Sequence, residues 1–185
     1  MKLFIENRGT HWHCGLLDGP CQTQDLDALV SDPAHGAIAQ FFGVVRNHNE
    51  GLEASAVDYD VHPELALKAM SELCADICSE YPVRLLLTHS RGLVRVGEAS
   101  VVIVASSAHR KDALSAVSDT IDQLKVRVPI WKKEIGPDEE QRWLDGYSLR
   151  KDYYVIAWTQ CHLLLILSSN KPVTHSLHWM CVICG

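Results

Sequence analysis

The stretch "LKVRVPIWKKE", residues 124–134, sets four cationic side chains among eleven positions and crosses them with Pro129 and Trp131. Proline fixes φ, so the backbone itself defines the return path between Lys125 and Lys132. A lysine beside other cations, or partly desolvated by a neighbour such as Trp131, has a lowered pKa and can act as nucleophile or general base. Ordinary surface lysines are the competing reading. A second constellation is "SSAHRKDAL". Ser106 or Ser107 is expected to cap a helix whose first turn holds His109, Arg110 and Lys111. Cations there oppose the helix dipole. Free backbone N–H groups, an imidazole and a guanidinium together make a receptor for phosphate or carboxylate. The alternative is a solvated helix end, with Asp112 partly compensating. Arg46 ends a buried strand beside Asn47 and His48, where it either reaches an anion from a rigid base or closes a strand-end salt bridge.

Spacing limits how these groups combine. Lys125 follows His109 by sixteen residues on the same expected helix, which at 1.5 Å per residue separates them by roughly 24 Å. Either they serve different parts of a long ligand, or a symmetry mate supplies one of them. A site shared across a two-fold interface is the preferred expectation.

The elements that must position these groups are legible in outline. Lys2–Ile5 reads as an opening strand, the rest of 1–24 as a polar loop, and Asp25–Val30 as a short helix. Ala37–Val45 reads as a buried strand closing at Asn47–Gly51, with "EASAVDYDV" paired to it. Pro63 suits the first turn of a helix running to about Tyr81, with Leu65, Ala66, Ala69, Met70, Leu73 and Ile77 inward. "VRLLLTHS", a turn at Arg91-Gly92 and "LVRVGEASVVIVASS" supply further strand. A second helix is expected over His109–Val126 with Leu114, Val117, Ile121 and Leu124 inward, stopped by Pro129, and Ile130–Ile135 leaves it extended. Strand runs interleaved with two long helices predict an α/β sandwich with a mixed or antiparallel sheet.

Composition narrows the function. The 185 residues are 47% hydrophobic and 22% charged, with a net charge of −6. That describes a soluble globular chain, and it argues against indiscriminate coating of nucleic acid. Between His109 and Lys133, however, six Lys/Arg face three acids, so charge is locally +3. Seven cysteines show no framework spacing, and no signal-like start is visible, so a reducing, cytosolic setting is expected. Cys74 and Cys78, one helical turn apart, are expected to be core thiols. His11, His13 and Cys14, and Cys181 with Cys184, are each half a metal site, and no metal or cofactor is expected. No GxGxxG, P-loop or nucleophile elbow is present. Val155–Leu167 is too short and too interrupted for a membrane span.

The segments "HGAIAQFFGVVRNHNEG", "VGEASVVIVASSAHRKDAL" and "IDQLKVRVPIWKKE", followed by Trp143, resemble the large catalytic subunit of molybdopterin synthase over about residues 25–143. The resemblance implies a hammerhead-type α/β fold and a homodimer. A small ubiquitin-like sulfur carrier would bind at each end, making a heterotetramer. The carrier's C-terminal thiocarboxylate would give sulfur, in two rounds, to cyclic pyranopterin monophosphate, forming the dithiolene of molybdopterin. Carried over by position, Arg46, His109 and Arg110 would bind the anionic substrate. Lys125, Lys132, Lys133 and Glu134 would fall in the active site, with Lys125 and Lys132 catalytic. Ser90 in "THSRG" departs from the arginine of many relatives, and residues 144–185 form an atypical, partly apolar tail. A non-catalytic family member, binding the carrier or dimerising with turnover blocked by that tail, is the alternative expectation. A phosphate-ligand sensor using the same basic pocket is a third.

Overall fold

The computed structural model describes residues 4–49 and 52–143. The tail expected over 144–185, together with Cys181 and Cys184, lies outside the described residues.

Ten strands and two long helices alternate in these residues. The strands are β1 (Ile5–Arg8), β2 (Trp12–Asp18), β3 (Ala37–Val44), β4 (His48–Asn49), β5 (Leu52–Glu53), β6 (Ala56–Val61), β7 (Val83–Arg95), β8 (Ala99–Ser107), β9 (Ile130–Ile135) and β10 (Gln141–Trp143). The helices are α1 (Pro63–Glu80) and α2 (Arg110–Arg127). The sheet is mixed: β2 runs parallel to β7, and every other pairing is antiparallel. This is the expected α+β architecture, with both long helices ending within a residue of the positions the sequence predicts.

The strand β7 organises the whole. Its first part pairs with β2 on one side and β8 on the other, and β3 continues outward from β8. From Gly92 onward β7 pairs instead with β6, which leads to β9 and β10. The sequence predicts a turn at Arg91-Gly92, but the strand runs through it. Gly92 has φ +75, a conformation glycine adopts without a Cβ penalty, so the chain kinks from one sheet to the next without stopping. The reversal comes later, at Val96-Gly97, where Glu98 N donates to Arg95 O.

The segment expected to be a polar loop before Asp25 is largely strand. Cys14 and Leu16 are fully buried and alternate with residues of the opposite face, the period of a half-buried strand. The short helix expected at Asp25–Val30 reduces to a single 3-10 turn, Asp27–Leu29.

Both helices cover one face of the sheet. The α1 helix starts where the His62 side chain accepts from Leu65 N at 3.5 Å and Pro63 occupies the first turn. It buries Ala66, Met70, Leu73, Cys74 and Ile77, whereas Leu65 is 56% exposed. The α2 helix buries Ala113, Ala116, Val117, Thr120 and Leu124. Leu114, expected inward, is 60% exposed. Small residues face the sheet here, so the α2 backbone can approach β8 and β3 closely, and the Thr120 hydroxyl donates back to Ala116 O. Odd-numbered residues of β7 and β8, including Leu85, Leu87, Val101 and Ile103, meet the helices. Leu86, Val102 and Val104 face the opposite layer with Leu17, Cys21, Leu26 and Val30.

Candidate active site

The cationic residues fall at two ends of this framework. The β3–β8 register pairs Ala37 with Ser107 and Val44 with Ala99. Arg46 follows the Val44 end, where Val45 N donates to Glu98 O at 3.0 Å. His109 and Arg110 follow the Ser107 end. Eight residues of β3 lie between these ends, a span of roughly 26 Å at strand rise. The α2 helix runs back along the sheet and returns Lys125 to the Arg46 end. One chain therefore separates His109 and Arg110 from the lysines, as the spacing predicts.

At the Lys125 end the second lysine is within reach of the first one's charge. The β9 strand pairs Lys132 with Tyr59, Lys133 with Asp58 and Glu134 with Val57. Because side chains alternate across a strand, the run Lys132-Lys133-Glu134 splits between two faces. Lys132 and Glu134 share the inner face with Val57 and Tyr59, which are buried beside Val45 and Val94. Lys132 Nζ lies 6.0 Å from the centre of the Tyr59 ring, within reach of a cation–π attraction. Lys132 is exposed at its strand position; desolvation by the surrounding protein, reinforced by the Lys125 charge, nevertheless lowers its pKa. The aromatic ring beside Lys132 comes from the neighbouring strand. Trp131, offered by the sequence for that role, sits on the outer face and is 51% exposed.

Lys133 faces outward, 3.4 Å from Asp58 and 5.2 Å from the Trp143 ring centre. Glu134 is 4% exposed, and its carboxylate accepts from Arg142 at 2.8 Å. That charge-assisted bond ties β10 to β9 two residues beyond Lys132. Lys125 itself is half exposed and only 3.9 Å from Asp122, a weak surface pairing that leaves its ammonium available.

The other end is bare. His109 is the N-cap residue but makes no capping side-chain bond. Ser106 and Ser107, expected there, instead finish β8. They are fully buried, with the Ser106 hydroxyl donating to Val30 O and the Ser107 hydroxyl to His109 O. His109, Arg110 and Lys111 are all exposed. Toward the first strands, His13 is bonded to Glu6 at 2.6 Å and Cys14 is buried. Among the described residues no three metal-binding side chains gather.

Sequence reasoning missed two residues that adjoin Lys132. Tyr59 and His89 meet edge to face, with ring centres 5.2 Å apart and planes at 73°. The signal was a histidine two residues beyond the apolar Leu85–Leu87 in "VRLLLTHS".

Residues 16–127 match the family model of the MoaE protein. The chain belongs to the MoaE family. Arg46, His109, Arg110 and Lys125 lie inside the matched segment, and Lys132, Lys133 and Glu134 lie just beyond it. The chain is similar to the molybdopterin synthase catalytic subunit of Drosophila willistoni, 40% identical over 142 residues, which cover 75% of this chain and 38% of that protein. It thus spans well under half the length of that relative. Its fold is similar to molybdopterin synthase from Staphylococcus aureus, with TM-score 0.66 and 30% identity over 70% of this chain and 94% of that one. A complex of subunits 1 and 2 of molybdopterin-converting factor from Helicobacter pylori 26695 shares the fold at TM-score 0.61 and 22% identity, covering 73% of this chain and 92% of that one.

Proposed function

We propose that this chain is the catalytic subunit of a molybdopterin synthase, moving sulfur from the terminal thiocarboxylate of a small ubiquitin-like carrier to cyclic pyranopterin monophosphate. The observation that carries this reading is Lys132 held on β9 with its ammonium 6.0 Å from the centre of the Tyr59 ring, while the Lys125 charge acts on it from the end of α2. Family membership supplies the substrate class. The carrier subunit is the expected partner, in keeping with membership of the family.

Both reactants are anions, so the pocket's first task is to neutralise charge. Lys125, the freer amine, meets the thiocarboxylate and either polarises it or traps the acyl group. Lys132, held on its aromatic support, stabilises negative charge as the thiocarboxylate sulfur displaces an oxygen substituent of the pterin side chain. The acyl–sulfur bond then breaks with the acyl carbon passing to water or to the Lys125 amine, which leaves sulfur on the pterin and a carboxylate or an amide on the carrier. Arg46 approaches the same end from β3. His109 and Arg110 suit the cyclic phosphate, and they reach the amine pair of a second copy across a two-fold interface. Lys133 and Glu134 serve the site by fixing the strand that carries Lys132. Among the described residues no helix is long and apolar enough to cross a membrane, and a cytosolic setting accords with substrates of this kind.

Mixing the protein with thiocarboxylated carrier and cyclic pterin should yield the dithiolene product. Lys125→Ala should lower that turnover a hundredfold or more while leaving carrier binding intact by calorimetry. Unaltered turnover in this variant would refute the assignment.

A further inference from the structure

The amine pair rests on a buried histidine to which the reading above gives no part. His89 is 5% exposed and lies between Leu16 of β2 and Val101 of β8. It sits on the helix-covered face, three residues before the kink that carries β7 into the second sheet. Its Nδ1 lies 2.8 Å from the Ser90 carbonyl oxygen. A carbonyl only accepts, so Nδ1 carries the proton and the lone pair of the neutral ring is on Nε2. That bond fixes the rotation of the imidazole. The ring then meets Tyr59 edge to face at 5.2 Å, and Tyr59 in turn lies 6.0 Å beneath the Lys132 ammonium. The sheet does not require a histidine here, since Leu85 and Leu87 fill the equivalent positions earlier in the strand. An imidazole adds what leucine lacks: a polarised ring that prefers an edge-to-face attitude toward Tyr59.

We propose that His89 is a positioning residue for the amine pair: locked by the Ser90 carbonyl, its ring holds Tyr59 in the attitude that sets the Lys132 ammonium beside Lys125. The consequence for turnover rests on the sulfur-transfer reading, whereas the positioning itself does not. The ionisable groups near Lys132 are Lys125 from α2, Tyr59 from β6, His89 from β7 and Glu134 from its own strand. The last is engaged by Arg142. Burial holds the His89 pKa down to about 4, so the imidazole brings no third positive charge to the pair.

Carbon-13 methylation of the lysines, with the Lys132 signal assigned by its loss in Lys132→Arg, lets that amine be titrated by NMR in the full chain. In the wild type it should titrate below the ordinary lysine range. His89→Asn keeps a donor for the Ser90 carbonyl but lacks the ring, and should move the titration up toward the ordinary value. His89→Phe restores a ring against Tyr59 and should bring it back down. Tyr59→Leu breaks the same contact from the other side and should match His89→Asn, keeping the test open if one variant fails to fold. In turnover, His89→Asn should lower kcat about tenfold with KM for the pterin nearly unchanged, and adding Tyr59→Leu should cost little more. An unmoved Lys132 titration in folded His89→Asn, or failure of His89→Phe to restore it, would overturn the proposal. Titration shifts in a protein that makes no dithiolene would uphold the positioning and refute the enzyme reading; product formation with unmoved titrations would do the reverse.

Discussion

The C-terminal end of α2 carries Lys125, whose charge acts on an ammonium held near the Tyr59 ring; an imidazole packs on that ring, and a Glu134–Arg142 bond joins β9 to β10. At the N-terminal end, His109, Arg110 and Lys111 stand in solvent with no side chain capping the helix. The two ends also differ in sign. Lys125 and Arg127 in the last turn suit the dipole, and Arg127 is further held by Gln123 and Asp76. Cations in the first turn oppose it. One end is thus supported by its own chain, while the other gives up stability and leaves its charges free. The supported end fits the place where bonds change, and the bare end fits a docking arm for an anion held by another molecule.

The sharpest way to break this comparison is to divide it between two protomers. If each site takes its amines from one copy and its anion clamp from the other, Lys125→Ala and Arg110→Ala homodimers, assayed with pterin well below KM, should each keep no more than about a tenth of wild-type activity. Mixed and re-equilibrated, half the dimers become heterodimers with one intact site each, so activity should return to about a quarter of wild type. Dithiolene formation measured before and after mixing checks this. No recovery would mean that both ends act within one chain.

The second test concerns the support beneath the amines. Unfolded, the His89 ring takes up a proton near its ordinary value of 6.5; folded, it resists until about 4. Between those values the unfolded state binds the extra proton, so stability falls as pH falls through that window. From pH 7 to pH 5 this one residue should remove on the order of 2 kcal/mol. His89→Phe has nothing to protonate and should show an acid limb shallower by that amount in urea titrations at the two pH values. Parallel limbs for the two proteins would show that the imidazole is not shielded in the folded state.

How much of this was legible beforehand follows from the range of the forces involved. The helices declared themselves through local signals, Pro63 at the start of α1 and Pro129 beyond the end of α2, and their bounds fell within a residue of expectation. The inward faces were partly misjudged. Leu65 and Leu114 fit the helical period but stay exposed, while Thr120 is buried because α2 lies close on the sheet. Arg91-Gly92 carries the chemistry of a turn, and only tertiary pairing reveals it as a kink inside β7. The lysines could be singled out from spacing and charge. Tyr59 and His89 could not be tied to them, because thirty residues separate the pair and seventy-three separate Tyr59 from Lys132; only the β6–β9 register and the switch of β7 between sheets bring them together.

The smallest effect is also the one that most directly asks why the bare end is bare. If Arg110 stood in the first turn by accident, replacing it with an acid would be pure gain: the new charge suits the helix dipole, and no ion pair of Arg110 is lost among the described residues. Arg110→Glu should therefore stabilise the protein by about 0.3–1 kcal/mol, visible as a higher thermal midpoint. If the arginine is there to hold a cyclic phosphate, the same change should raise KM for the pterin about tenfold or more, since an attractive charge becomes a repulsive one. Opposite signs in the two measurements would mark a position where stability has been given up for binding. A rise in midpoint with unchanged KM would reduce the N-terminal cations to solvated side chains and return the burden of anion recognition to Arg46 and the amine pair.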